Sequence, residues 1–169
     1  MNYSDTAGDT APAHDIASET LCRWMDCVVD RAWQGVAEGQ SPFAAAIYGP
    51  DGTQLSLENN IVKASGQPSR HAEVCAIDSA CQQLGQCKLD DCWLLATGEP
   101  CPMCAATAAM ADIHRIVFGA SADVISQAGY ATLELDCEKF YELTDHQPLL
   151  IGGVQQTRCE ELLLKNPKR

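Results

Sequence analysis

The pattern of apolar and polar positions predicts helices and strands that alternate along the chain. Between Ile16 and about Ala37, apolar residues recur at spacings of three and four, which is typical of an amphipathic helix that buries Trp24 and Trp33. The run from Phe43 to Tyr48 is almost continuously apolar, as expected of a strand buried on both faces. The turn signal Pro50-Asp51-Gly52 follows, and a second β-prone run after it completes a predicted hairpin.

The alternation continues beyond the hairpin, after a predicted loop at residues 60–70. Further helices are predicted at residues 71–84, 101–113 and 157–166, with shorter ones at 122–128 and 136–143. Further strands are predicted at residues 92–97, 115–120 and 148–154. Gly85 is the expected stop of the second helix. Strands joined by crossover helices favour an α/β fold, here a three-layer α/β/α sandwich with a central mixed five-stranded sheet.

Length and charge narrow the classes of protein to which the chain can belong. Its 169 residues fit one domain, predicted at residues 15–169 after a flexible polar tail at residues 1–14. No run is long enough to cross a membrane, and the polar, acidic start lacks the features of a secretory signal. The net charge of −12 argues against a nucleic acid partner, because phosphate binding depends on Lys and Arg.

Ten cysteines are many for a chain of this length. In a short secreted protein, such a count would indicate a disulfide framework. Several of these cysteines, including Cys22, Cys27, Cys75 and Cys81, lie instead in apolar helical patterns, where a free thiol behaves as a small apolar residue. We therefore predict a cytoplasmic protein in which most thiols stay reduced and fill the core.

The stretch GEPCPMCAA, residues 98–106, contains a Cys-x-x-Cys pair that fits a metal site. Cys101 and Cys104 are three residues apart, so at the start of a helix their sulfur atoms can reach one ion. His71 is the third candidate ligand, and one imidazole with two thiolates suits Zn²⁺. A redox pair is one alternative. A closed structural zinc site with Cys75 as its fourth ligand is another, although Cys75 fits the apolar stripe of its helix.

Glu73 is the candidate proton carrier beside this site. Three protein ligands leave a tetrahedral zinc one position for water, whose pKa falls toward about 7. A neighbouring carboxyl group could move the protons of a hydrolytic reaction, whereas a structural site has no use for one. In a regular helix His71 and Glu73 would point about 200° apart. We therefore predict that His71 lies at the extreme N-terminus of its helix.

The two motifs resemble those of the zinc-dependent nucleobase deaminases. His-Ala-Glu at 71–73 and Pro-Cys-Pro-Met-Cys at 100–104 match the signature H-x-E followed by P-C-x-x-C. The resemblance to the cytidine/deoxycytidylate deaminase superfamily covers most of residues 43–128, and bacterial guanine deaminases and tRNA adenosine deaminases look most similar. It implies a cytidine deaminase-like fold, one Zn²⁺ per subunit, and proton transfer by Glu73.

The same resemblance implies the residues that bind the substrate. Asn60 matches, by its spacing to the first motif, the asparagine that contacts the base in guanine deaminases. Tyr130 stands where those enzymes place an aromatic residue after Ala-Gly. Phe43 and Ala72 complete the candidate substrate-binding set, although the apolar pattern alone favours a core position for Phe43. The acidic residue that follows the aromatic one in guanine deaminases is missing here, and Glu134 is the nearest substitute.

These residues predict hydrolytic deamination of a nucleobase, with guanine to xanthine as the first candidate. The alternatives within the superfamily are a tRNA adenosine deaminase and a deaminase of cytosine or another nucleoside. A non-catalytic zinc-binding module is the alternative outside it. The resemblance also implies a homodimer in which the C-terminal segment, residues 158–165, can cross to the partner subunit.

Overall fold

A five-stranded sheet lies between two layers of helices in the computed structural model, which describes residues 16–168. The predicted tail at residues 1–14 lies outside that range. The strands are β1 Ala44–Tyr48, β2 Gln54–Asn59, β3 Trp93–Gly98, β4 Arg115–Ala120 and β5 Leu149–Ile151. The helices are α1 Ser18–Ala37, α2 Val62–Ser65, α3 Ala72–Leu84, α4 Pro102–Met110, α5 Ala122–Gln127, α6 Cys137–Glu142 and α7 Gln156–Lys165.

The sheet is mixed, with the strand order β2-β1-β3-β4-β5. β1 is antiparallel to both β2 and β3, whereas β3, β4 and β5 run parallel to one another. The hairpin of β1 and β2 and the crossovers through α4 and the later helices produce these two directions. The predicted α/β sandwich with a mixed five-stranded sheet is therefore confirmed.

The two central strands supply side chains to both layers, which explains their continuous apolar runs. Ala46 and Leu95 face a core shared with α1 and α7, where Met25 is fully buried. Ala45 and Leu94 face the opposite core, shared with α3, α4 and α6. Since neighbouring residues of a strand point to opposite faces, a strand covered on both sides has few positions for polar side chains.

The ends of α3 and α4 are set by residues with left-handed backbone angles rather than by the end of the apolar pattern. Gly85 ends α3 in the left-handed region, at φ 67°, as predicted. α4 ends at Met110 rather than near residue 113, because Asp112 adopts a left-handed φ of 56° and Ile113 donates its N–H to the carbonyl of Ala108 at 3.0 Å. The predicted loop at residues 60–70 contains the single-turn helix α2, which is too short to show a helical period.

α1 is an amphipathic helix, as predicted, but its two tryptophans differ in exposure. Trp24 stacks on Tyr48 of the sheet, with ring centroids 4.3 Å apart. Trp33 is 36% exposed rather than buried, because it follows the fully buried Ala32 by about 100° around the helix and so leaves the buried stripe. No helix within residues 16–168 is long and apolar enough to span a membrane.

Candidate active site

The candidate site residues converge at one edge of the sheet. Ala44 pairs with Asn59 and Gly98 pairs with Ala120, so the carboxyl ends of β2, β3 and β4 lie beside the amino end of β1. In open α/β sheets, residues just beyond such strand ends form the usual site for ligands. The residues found there include Phe43, Asn60, Glu99 and Cys101.

His71, Cys101 and Cys104 bring their ligand atoms together. The Nδ1 atom of His71 lies 3.7 Å from the Sγ of Cys101 and 3.6 Å from the Sγ of Cys104. The two sulfur atoms are 3.6 Å apart. Within residues 16–168, this is the one group of three or more such ligand atoms that lie close enough to hold a metal ion, and Cys75 is not a member of it.

This arrangement fits zinc. A tetrahedral Zn²⁺ with ordinary bond lengths separates two thiolates by about 3.8 Å, and a thiolate from an imidazole nitrogen by about 3.6 Å. The three observed distances agree with these values to within about 0.2 Å. One nitrogen and two sulfur atoms are also the donors that a borderline-soft cation such as zinc prefers.

Two helices begin at the candidate zinc site. His71 is the N-cap of α3 and has an extended backbone, with φ −67° and ψ 156°, which confirms its predicted place at the extreme N-terminus. Cys101 is the N-cap of α4, with φ −69° and ψ 166°, and Cys104 is the third residue of that helix. The amide groups at both helix starts favour negative charge nearby, which suits thiolate ligands.

Hydrogen bonds within the site change the pKa values of the two thiols, Cys101 and Cys104. Hydrogen bonding from Cys104, supported by His71, lowers the pKa of Cys101 to about 4 despite partial burial. The same hydrogen bond, together with burial, raises the pKa of Cys104. Hydrogen bonding to Cys101 raises the pKa of His71. The pair therefore favours a single thiolate that is stabilised by the remaining thiol and by His71, and metal binding has to displace the proton that the pair retains.

Glu73 lies in the first turn of α3, directly beside these ligands. Its side chain is buried, and this burial, followed by the charge of Cys101, raises its pKa from the ordinary 4.5 to about 7. The thiol of Cys104 opposes this rise in the pKa. A carboxyl group whose pKa lies near neutral pH can both accept and release a proton.

A cavity of about 560 Å³ opens onto His71, Glu73 and Cys101. Its volume is within the range of small-molecule sites. Three of the four residues predicted to bind substrate line this cavity, namely Phe43, Asn60 and Tyr130.

Hydrogen bonds to three neighbouring residues fix Asn60 at the cavity. Its N–H donates to the carbonyl of Phe43 at 2.8 Å, and its own carbonyl accepts from Nδ2 of Asn59 at 2.9 Å. Its Oδ1 accepts from the N–H of Val62, the first residue of α2, at 3.1 Å. This last bond orients the amide group, whose Nδ2 has no hydrogen-bond partner in the part of the chain that the structure describes.

Tyr130 and Phe43 form an aromatic corner of the cavity. Their rings meet edge to face, with centroids 5.0 Å apart and planes at 88°. The hydroxyl of Tyr130 donates to the carbonyl of Asn166 at 2.8 Å, and the N–H of Lys168 donates to the carbonyl of Ala128 at 2.9 Å. The residues after α7 therefore fasten the segment that contains Tyr130 and form part of the cavity wall.

Some predicted residues lie elsewhere, and several lining residues were not predicted. Ala72, the first residue of α3, is fully buried in the core between that helix and the sheet and is not a lining residue, so its role in substrate binding stays a prediction. Glu134 is exposed and does not line the cavity. Glu99, which precedes the Cys-x-x-Cys motif, does line it. The one signal for Glu99 in the sequence is its position just after β3. That position indicates a site residue only when the order of the strands in the sheet is known.

Comparisons with known proteins relate the chain to deaminases. Residues 18–120 match the family described as the cytidine and deoxycytidylate deaminase zinc-binding region. The chain is 29% identical over 140 residues to tRNA-specific adenosine deaminase from Bacillus subtilis, covering 83% of this chain and 84% of that enzyme. It is 39% identical over 103 residues to guanine deaminase from the same organism, covering 60% of this chain and 65% of that enzyme.

A longer relative and a solved structure extend the comparison. tRNA(Ile)-lysidine synthase from Deinococcus deserti is 35% identical over 122 residues, which are 72% of this chain but only 22% of that enzyme. The structure of guanine deaminase from Nitrosomonas europaea matches with a TM-score of 0.78 at 20% identity, covering 89% of this chain and 84% of that one, and supports the fold. Since the family match includes more than half of the residues and contains all three candidate zinc ligands, the chain belongs to the zinc-dependent cytidine and deoxycytidylate deaminase family.

Proposed function

We propose that this protein hydrolyses an amino group from a free purine base, converting guanine and water to xanthine and ammonia. The observation that carries the proposal is the position of Glu73, a buried carboxyl group beside the three zinc ligands and at the wall of the cavity. A structural zinc site needs no such group. The similarity to guanine deaminase from Bacillus subtilis supports the choice of base.

The chemistry divides between the metal and the side chains of the chain. Zinc held by His71, Cys101 and Cys104 would lower the pKa of a water molecule and so supply a nucleophile at neutral pH. Glu73 would accept a proton as the water attacks the amino-bearing ring carbon and would protonate a ring nitrogen. It would then pass a proton to the departing amine, which leaves as ammonia. A pKa near 7 permits both directions of transfer.

Asn60 and the aromatic corner would position the base. The free Nδ2 of Asn60 can donate to an acceptor on the ring, while its Oδ1 is already held by Val62. Phe43 and Tyr130 offer apolar edges to a planar ring. A small uncharged base also suits a chain of net charge −12, since no phosphate has to be neutralised.

A tRNA adenosine deaminase is the second candidate. The match to tRNA-specific adenosine deaminase covers more of both chains than the match to guanine deaminase does. Lys63 and Lys168 line the cavity, where they could contact a phosphate. A gel shift with tRNA at physiological salt separates the candidates, because RNA binding of this kind weakens steeply as salt is raised. Clear, salt-sensitive binding would replace the first proposal by the second.

We further propose that the protein acts in the cytoplasm as a homodimer. The C-terminal helix α7 packs on β4 and α1 of its own chain, with Cys159 fully buried. Because α7 is packed within its own chain, the crossing of residues 158–165 to a partner subunit stays a prediction. Light scattering measures the oligomeric state, and the proposal predicts the mass of a dimer.

A coupled ammonia assay tests the substrate directly. The zinc-loaded protein is supplied in turn with guanine, adenine, cytosine and the corresponding nucleosides, and the products are separated by chromatography. The proposal predicts xanthine from guanine, at a higher kcat/KM than for any other compound in the set. Turnover of adenosine in a tRNA anticodon loop, without turnover of guanine, would contradict it.

A further inference from the structure

Glu99 occupies a fixed position between the zinc site and the rest of the cavity. It follows the last residue of β3 and comes two residues before the ligand Cys101. Its N–H donates to the carbonyl of Ala120, at the end of β4, at 2.8 Å. The backbone of Glu99 is thus held by two neighbouring parallel strands, and the position of its side chain depends on the same residues that set the position of Cys101.

The side chain of Glu99 joins the starts of two helices, α5 and α6, that follow each other in the chain. Its Oε2 accepts the N–H of Ala122, the first residue of α5, at 2.8 Å. Its Oε1 accepts the N–H of Cys137, the first residue of α6, at 2.8 Å. Both bonds use amide groups that a helix leaves without an internal partner, and both place negative charge where helix dipoles favour it.

α5 and α6 are the two elements that flank the substrate loop, which we define as residues 128–135. Four residues of this loop line the cavity: Tyr130, Ala131, Thr132 and Leu135. The loop has no regular structure, and Leu133 and Glu134 both adopt left-handed backbone angles, with φ 57° and 53°. Hydrogen bonds to α5 and to the residues after α7 hold the start of the loop, at residues 128–130. Residues 131–135 make none with the described part of the chain, so their position depends on how the two ends of the loop are fixed.

We propose that Glu99 is a positioning residue for the deamination, which holds the substrate loop at a set distance from the zinc site by binding both flanking helices. The proposal rests on the proposed function for its kinetic readout only. Both carboxyl oxygens are engaged by backbone amides, so Glu99 acts through the loop rather than on the reacting atoms. The substrate and the metal are then held by one continuous set of contacts, from Cys101 through Glu99 to Tyr130.

Capping of α6 alone does not account for this arrangement. Asp136 already caps α6, since its Oδ1 accepts the N–H of Lys139 at 2.8 Å. Asp136 makes that contact inside its own helix and does not line the cavity of the zinc site. It is therefore the matched control, because Asp136→Ala weakens α6 without touching the connection to the zinc site.

The test is Glu99→Gln in the full chain loaded with zinc. Glutamine offers one acceptor oxygen, and its NH₂ group faces a backbone donor, so one of the two bonds is lost. We expect amide hydrogen exchange in residues 128–137 to accelerate by about tenfold or more, as for the loss of a hydrogen bond to a charged group. With guanine as substrate, KM should rise by a similar factor while kcat changes much less and zinc content stays at one per chain.

Several outcomes would overturn the proposal. Unchanged exchange in the substrate loop would do so, and this readout is independent of the substrate, so it decides even if guanine is not turned over. Loss of kcat with an unchanged KM would place Glu99 among the reacting groups instead. Equal effects of Asp136→Ala would reduce Glu99 to a helix cap. If Glu99→Gln does not fold, Glu99→Asp, which keeps the charge but is too short to reach both amides, decides by the same measurements.

Discussion

At the scale of single residues, the pKa of Cys101 is lowered and that of Glu73 is raised within the same site. Cys101 is converted toward thiolate by hydrogen bonds from Cys104 and His71. Glu73 is kept protonated to higher pH by burial and, to a smaller extent, by the charge of Cys101. Opposite shifts in neighbouring groups are typical of sites that bind metal and transfer protons. Both shifts follow from two helix starts that face each other, which the spacing within each motif could not reveal.

The raised pKa of Glu73 predicts that the free energy of unfolding of the metal-free protein falls as the pH rises. Its pKa is about 7 when folded and about 4.5 when unfolded, so the folded state is penalised once the carboxyl group ionises. The penalty is absent below about pH 4.5, grows between pH 4.5 and 7, and reaches at most about 3 kcal/mol above that range. Glu73→Gln removes the ionisation.

Urea unfolding of the metal-free protein and of Glu73→Gln between pH 4.5 and 8 measures this effect. We expect the free energies of unfolding to differ little at pH 4.5, and the variant to become the more stable as the pH rises toward 8. A difference that does not change with pH would show that the charge of Glu73 is not the cause.

Zinc binding should distinguish two buried cysteines. Cys104 supplies one of the three converging ligand atoms, whereas Cys75 is 2% exposed and lies outside that group. We expect Cys104→Ala to lose its zinc during dialysis against a mild chelator, while Cys75→Ala retains one zinc per chain, as measured by elemental analysis. Loss of zinc from Cys75→Ala as well would support the closed structural site with four ligands.

At the scale of elements, the apolar pattern predicted what depends on neighbours in sequence. It found β1, because burial on both faces leaves an unbroken apolar run. The end of α3 was predicted from Gly85 itself, since glycine readily takes the left-handed conformation that ends a helix. The apolar pattern missed the early end of α4, where Asp112 takes the left-handed conformation that usually signals glycine. It also missed α2, which has a single turn and so shows no helical period. It missed the exposure of Trp33 as well, because this residue lies at the edge of the buried stripe of α1.

The packing of α7 on β4 depends on one glycine. A Cβ atom at Gly119 would lie 2.1 Å from the Sγ and 2.6 Å from the Cβ of Cys159, far inside contact distance. We therefore expect Gly119→Ala to lower the free energy of unfolding by about 3 kcal/mol. Gly66→Ala is the control, because its position has no atom within 4 Å and a φ of 68°, and it should cost only about 1 kcal/mol. Urea unfolding compares the two, and equal losses would contradict the close approach of α7.

At the scale of the whole molecule, the active site combines segments that are distant in sequence. The zinc site could be predicted because each motif carries its own spacing. The cavity could not, since its walls come from the residues before β1, the loop after α5 and the residues after α7. Glu99 is the clearest case, because its role is set by contacts with Ala122 and Cys137, which no local pattern connects.

The charge of the molecule agrees with the small substrate that we propose. A net charge of −12 opposes binding of polyanions, and it acts over the whole surface rather than at one site. The two lysines at the cavity, Lys63 and Lys168, are the local exception. A free base would be insensitive to either charge, so turnover of guanine should change little between low and physiological salt.

The central claim is that His71, Cys101 and Cys104 hold a catalytic zinc and that Glu73 moves the protons of a deamination. Ammonia release from guanine by the zinc-loaded protein and by Glu73→Gln, at equal measured zinc content, tests it most directly. We predict steady turnover by the unaltered protein and a kcat lower by about 10²- to 10⁴-fold in the variant. Undiminished turnover by Glu73→Gln with one zinc per chain would contradict the account.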